Sequence, residues 1–296
     1  MNFPTHIAVR ISPLVLVAAL PAFAGEKVDQ RQPANPRGTV EISNVAGTVS
    51  VRGTSHNEVH VFGELGSAAK LEFTVDGDRT TIKVVLPRSS GHTGSTDLEI
   101  EVPAASALTV STVSADTVVT SVQGALDLQS VSGNIKSDAF DKDMKLRTVS
   151  GDLDVHGNRG TAVLNAVTVS GNLEVKGIGG EVNASSVSGD LNLRMTSVAR
   201  SRVRTTSGDI TLQGTLAKDA RIDWESVSGD LTFNVGGTGD AEYDFATATG
   251  DISNCFGPKA LSRHYGSGEE LKFTEGAGNA SLRARSLSGD ISLCKD

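Results

Sequence analysis

Along most of this chain, apolar residues alternate with polar ones, the period of two that a strand with one buried face requires. One set of such runs reads Leu153-x-Val155, Leu173-x-Val175, Leu191-x-Leu193, Ile210-x-Leu212 and Leu231-x-Phe233. A second set ends on a hydroxyl: Leu126-x-Leu128-x-Ser130, Met144-x-Leu146-x-Thr148, Ile222-x-Trp224-x-Ser226 and Tyr243-x-Phe245-x-Thr247. The two sets are joined by one recurring short motif, so the chain reads as many copies of a single two-strand unit.

That motif is [ST]-V-[ST]-G-[DN]. It occurs as SVSGNI at 130–135, TVSGDL at 148–153, TVSGNL at 168–173 and SVSGDL at 186–191. It continues as TTSGDI at 205–210, SVSGDL at 226–231, TATGDI at 247–252 and SLSGDI at 286–291. Its glycines are Gly133, Gly151, Gly171, Gly189, Gly208, Gly229, Gly250 and Gly289, spaced by 18, 20, 18, 19, 21, 21 and 39 residues. TVSADTV at 112–118 is a degenerate earlier copy. The inward hydroxyl is followed at once by an apolar residue, and two neighbouring inward side chains cannot share one flat strand. The motif is therefore expected to be a corner, with glycine taking backbone angles closed to other residues and Asp or Asn bonding its own backbone.

Turns that bury their apolar residues only against neighbouring turns define a solenoid. The expected fold is all-β: a parallel β-solenoid, β-helix-like, of about 18–21-residue turns, with adjacent strands about 4.8 Å apart. Residues 40–51 fit the template as a first turn. Residues 57–103 do not fit it cleanly. NEVHVFGEL, KLEFTVDGDRTTIKVVLP and TDLEIEVP are good strands with a hairpin signal at Asp76-Gly77, and they predict an antiparallel cap or inserted sheet over one end.

The two cysteines, Cys255 and Cys294, each lie eight residues after a corner hydroxyl, Thr247 and Ser286. In adjacent turns they would be about 5 Å apart and able to form a disulfide, leaving 256–280 as an excursion capping the C-terminal end. The alternative is that the 39 residues are two ordinary turns with unpaired thiols.

The beginning of the chain reads as an export signal. Ile11–Leu20 is an apolar stretch too short for a ~20-residue membrane helix, and Ala22-Phe23-Ala24 matches the small-x-small pattern cut by signal peptidase. Cleavage between Ala24 and Gly25 predicts a periplasmic or extracellular mature protein. No other segment would span a membrane as a helix. The domain reading is a signal peptide at 1–24, a flexible lead at 25–37 and a single solenoid domain at 38–296.

Composition narrows the chemistry. A formal charge of −8 disfavours nucleic-acid or anionic-membrane binding, which need a basic face. With 4% aromatic residues and 32 glycines, a thin core of many small layers is expected. The corner acids Asp152, Asp190, Asp209, Asp230, Asp251 and Asp290 raise a calcium β-roll as an alternative, but such rolls need several glycines per loop and one is present. A nucleophilic serine needs an adjacent base and an oxyanion site, usually on a G-x-S-x-G elbow; no such elbow exists, and His56, His60, His92, His156 and His264 are scattered. A carbohydrate-active β-helix is a further alternative, because Arg194, Arg200, Arg202 and Arg204 gather around one return loop. No catalytic, metal or cofactor residues are assigned, and the partner is expected to be an envelope protein or a glycan, with self-association possible.

The iterated corners, the opening GTVEISNVAGTVSVRG and the closing NCFGP (254–258) and GDISLC (289–294) resemble the bacterial "putative adhesin" family of exported β-strand-repeat domains. The resemblance runs from about Gly38 to Cys294. It implies a β-solenoid in the cell envelope, and the family brings no catalytic or binding residues to transfer.

Overall fold

The computed structural model describes residues 25–87, 94–237, 239–262 and 267–295. The proposed signal at 1–24, with its cut after Ala24, and His92 and His264 lie outside them. Strand accounts for 71% of the structure, with no helix among the described residues, so the interior is built by strand contacts alone.

Stacking follows the alternation read from the sequence. One inward column runs Leu98, Val49, Thr117, Ile135, Leu153, Leu173, Leu191, Ile210, Leu231, Ile291 and Ile252, each the direct partner of the next. All are buried. At the other arm of each turn, Leu126, Met144 and Leu164 form an equivalent column. The aromatic residues are concentrated towards the C-terminal end, where Trp224 packs on Phe233 (centroids 4.5 Å apart) and Phe233 on Phe245 (5.0 Å). Trp224 Nε1 donates to the buried Ser201 Oγ at 2.9 Å, which satisfies its one polar atom.

The spatial order of the turns departs from sequence order at both ends. Thr39–Thr54, expected as the first turn, lies between Ala107–Thr120 on one side and Arg79–Val85 with Thr96–Pro103 on the other. The last strands in sequence, Ala280–Ser288 and Ile291–Cys294, lie between 220–236 and the earlier Ala241–Thr249 and Ile252–Asn254. Antiparallel strands close both ends. Lys70–Asp76 pairs with Arg79–Val85, Glu58–Leu65 with Thr96–Pro103, and Glu269–Glu275 with Ala241–Thr249. Residues 25–37, read as flexible, instead contain the strand Glu26–Pro33, antiparallel to Glu58–Leu65. Val28, within this strand, is buried against the core, and this apolar contact gives the segment a reason to order.

A second correction concerns the corners. The hydroxyls do point inward: Ser130, Thr148, Thr168, Ser186, Thr205, Ser226, Thr247 and Ser286 are buried. The apolar residues after them point outward. Val113, Val131, Val149, Val169, Val187, Val227 and Leu287 are 39–59% exposed. Alternation therefore continues through the first half of the corner, and the bend comes at the glycine.

Candidate functional site

All eight corner glycines fall in one column, and close backbone approach explains each. A Cβ on Gly133 would sit 2.0 Å from the carbonyl oxygen of Ala115, and one on Gly171 would sit 1.8 Å from that of Gly151. The same overlap recurs at Gly151, Gly189, Gly208, Gly229, Gly250 and Gly289, at 2.1–2.4 Å from the neighbouring turn's glycine carbonyl. Positive φ applies only from Gly189 onward, where the five corners have φ of 141–156°.

The Asp and Asn after each glycine form a ladder between turns. Asn134 N donates to Asp116 Oδ1, Asp152 N to Asn134 Oδ1, Asn172 N to Asp152 Oδ1 and Asp190 N to Asn172 Oδ1, at 2.8–2.9 Å. The series continues through Asp209, Asp230, Asp290 and Asp251. These side chains bond the next turn's backbone rather than their own, and Asn can replace Asp because either supplies the acceptor oxygen. Among the described residues, no group of three or more His, Cys, Asp or Glu side chains is arranged to hold a metal ion.

At the C-terminal end Cys255 and Cys294 are bonded, with Cα atoms 5.0 Å apart. The return segment packs Phe256 and Phe273 against Tyr243, whose ring stacks on Phe273 at 4.5 Å. Burial and the nearby Glu275 charge push the Tyr243 hydroxyl up to about 12, so it stays neutral.

The outward face of the C-terminal turns carries the densest charge chemistry. Arg202, Asp223, Arg283, Asp244 and Lys272 are successive partners across five strands, alternating in sign. Arg202 Nε lies 3.7 Å from Asp223, and Arg283 Nη2 3.5 Å from Asp244. Arg285 also reaches Asp244, at 2.7 Å. Burial alone would raise the Asp244 carboxyl, but the Arg285 hydrogen bond and the charges of Arg285, Lys272 and Arg283 outweigh it and hold the group below its usual range. One column over, Glu181, Arg200, Arg221 and Ser281 are successive partners. Arg200 pairs with Glu181 at 2.9 Å. Arg221 has no carboxylate partner among the described residues and donates instead to the carbonyls of Asn279 (2.7 Å) and Ala220 (3.0 Å). A shallow depression of about 320 Å³ opens between these columns, lined by Arg200, Arg202, Arg221, Asp223, Ser281 and Arg283, with Ser201 and Ile222 beneath.

Of the arginines singled out from the sequence, Arg200 and Arg202 line this depression. Arg204 pairs with Glu225 (2.8 Å) and Arg194 lies 3.7 Å from Glu174, both outside it. Arg221, Asp223 and Arg283 were missed. The signal existed: Arg202, Asp223 and Arg283 each stand three residues before a corner hydroxyl. Their adjacency depended on the displaced order of the last turn, which no repeat spacing reveals. His60 contacts Asp29 at 2.8 Å and stacks on Phe62 at the opposite end of the molecule, away from this face.

A family model described as Toastrack DUF4097 matches residues 36–177 and 180–294. The chain belongs to the Toastrack DUF4097 family. The relationship to an adhesin-like repeat family of unknown function, read from the corner motifs, therefore holds. Among solved structures, a protein named a putative adhesin from Parabacteroides distasonis is similar at 12% identity. It covers 91% of this chain and 98% of its own, with a TM-score of 0.52, which supports a shared fold. A second protein named a putative adhesin, from Bacteroides fragilis, is 12% identical over 90% of this chain and 96% of its own, with a TM-score of 0.44. No curated protein matches the sequence.

Proposed function

We propose that this Toastrack protein is a non-catalytic, exported cell-envelope scaffold or adhesin-like binding module, a capped β-solenoid that presents a rigid strand-lined face to an envelope protein or glycan. The observation that carries this reading is the fixing of the surface. Each turn is tied to the next through the Asp/Asn ladder, so outward side chains near the corners stand in columns, with register shifts confined to the return segments at 180–181 and 195–200. A face organised in this way is pre-ordered for recognition and loses little freedom on binding. The export pattern at 1–24 and the single disulfide suit an oxidising compartment. The names of the similar solved structures agree with an adhesive role.

A glycoside hydrolase of the common two-carboxylate kind would need two carboxyl groups flanking the scissile bond. The arginine-lined depression holds Asp223 alone. The reading is tested by fractionating cells that express the tagged full chain, followed by crosslinking in intact cells. Recovery from the envelope fraction, with the N-terminus beginning at Gly25 and one reproducible crosslinked partner, supports it. Recovery in the cytoplasm with an uncut N-terminus overturns it, as would a hydrolase or lyase activity abolished by one side-chain change.

A further inference from the structure

We propose that the depression bounded by Arg200, Arg202, Arg221 and Arg283 binds a linear anionic polysaccharide, with uronate carboxylates as the recognised groups; this rests on the binding-module reading above. Four guanidinium groups and one carboxylate, Asp223, line it; with Glu181 and Asp244 paired to Arg200 and Arg283 at its edges, the balance stays positive on a chain whose formal charge is −8. The arrangement is not what a merely soluble sheet surface would select. In the neighbouring column the charges alternate in sign from strand to strand, whereas Arg200 and Arg221 are direct partners of like charge. Like charges placed opposite each other destabilise a sheet. Glu181 offsets this for Arg200, whereas Arg221 meets only backbone carbonyls among the described residues and is the cation that an incoming anion would neutralise.

The shape favours a chain over a compact anion. The depression is open, and its cations stand on three adjacent strands, at 200–202, 221 and 283. Strand spacing of about 4.8 Å places successive guanidinium groups at a pitch comparable with one residue of an extended polysaccharide. Ser281, the small side chain beside Arg221, leaves the floor low enough for a sugar ring to approach. Guanidinium forks match carboxylates in geometry as well as charge. The net negative charge of the molecule weighs more against nucleic acid, with one charge per about 1.7 Å of duplex, than against a polyuronate with one carboxylate per sugar.

The test is calorimetric titration of the intact protein at low salt with a galacturonate hexamer, its fully methyl-esterified form and a sulfated maltohexaose, which carries sulfate esters and no carboxylate. The galacturonate hexamer is expected to bind, more weakly as salt rises, and the ester is not. Arg221→Gln and Arg200→Gln should each weaken binding by roughly tenfold, the loss of one charge-assisted contact. Asp223→Asn should tighten it by about two- to fivefold by removing an exposed like charge. That gain separates recognition from a structural role, because stability alone gives no reason for it. Arg200 is 57% exposed, so circular dichroism and the unfolding midpoint should be unmoved in Arg200→Gln. Arg221→Gln also gives up the bonds to the Asn279 and Ala220 carbonyls, so its affinity is compared at matched folded fraction. Equal binding of the ester, or affinities unchanged in Arg221→Gln and Asp223→Asn, overturns the site. Binding of the sulfated maltohexaose alone overturns the uronate assignment. In either case an envelope location and a partner bound elsewhere would leave the proposed function standing.

Discussion

The corners at 130–133 and 186–189 both read Ser-Val-Ser-Gly, yet they are built differently. At Gly133, Gly151 and Gly171 the glycine N–H donates to the hydroxyl three residues earlier in the same turn, Ser130, Thr148 and Thr168, at 2.8–3.0 Å. From Gly189 onward φ turns positive, and the N–H reaches the next turn instead. Gly189 bonds the Ser207 carbonyl, Gly208 that of Ser228, Gly229 that of Ser288 and Gly289 that of Thr249, each at 3.2 Å. The hydroxyls of Ser186, Thr205, Ser226 and Ser286 then have no hydrogen-bond partner among the described residues. Local sequence does not select between the two forms. The second form needs a matching carbonyl from the adjoining turn, so corner shape is a property of the stack, passed from neighbour to neighbour.

The largest expected effect tests what the two forms share. Gly171→Ala and Gly208→Ala both drive a Cβ into a backbone carbonyl, at 1.8 and 2.3 Å. Each should lower stability by about 4 kcal/mol or more, since two backbones must part. Gly208→Ala should cost about 1 kcal/mol beyond its partner, because its φ of 141° is also unfavourable to a side chain. Urea unfolding midpoints measure both. Equal midpoints would mean that the two corners do not differ in backbone conformation.

Next in size is the covalent tie found only in the second region. Cys255 and Cys294 close a loop of 39 residues. Replacing both with serine should cost about 3 kcal/mol, largely by freeing the unfolded chain. The N-terminal end, sealed by the antiparallel strands at 26–33, 58–65 and 70–76, has no such tie and should keep its amide-exchange protection in that variant. Loss of protection at both ends together would show that the stack melts as one unit.

The third comparison concerns the hydroxyls. Thr148→Val removes the bond to Gly151 and leaves a buried N–H unpaired, a loss of about 1–2 kcal/mol. Thr205→Val replaces a buried, unpartnered hydroxyl with a methyl group and should be neutral or slightly stabilising. The same substitution in the same motif is thus expected to have opposite consequences in the two regions.

These contrasts mark how far the sequence could be read. The all-β class and the inward columns were legible because strand alternation is a local, period-two signal, and Leu153, Leu173, Leu191 and Ile210 stack as that period requires. The displaced end turns were not legible. Placing 280–294 beside 220–236 depends on contacts between segments 60 residues apart, and spacing alone records only that one interval, at 39, is long. The arginine face shares that limit, since Asp223 and Arg283 become neighbours only through the displacement. The strand at 26–33 was missed because its pairing partner at 58–65 lies in the section whose repeat pattern breaks down.

The smallest effect bears on the one side-chain direction that the motif suggested wrongly. Val149 and Val187 follow the corner hydroxyl in the first and second forms respectively, and they are 44% and 49% exposed. Were they inward, as two adjacent core residues meeting at a bend, truncation to serine would bury a new hydroxyl and remove packed methyl groups, at about 2–3 kcal/mol. Facing outward, each loses only part of a solvent contact and a small strand preference. Val149→Ser and Val187→Ser should therefore both stay within about 0.5 kcal/mol of the parent in urea unfolding. Equal, small changes at both sites would show that the outward valine is indifferent to corner form, and that the difference between the two regions is confined to the glycine N–H and the hydroxyl beneath it.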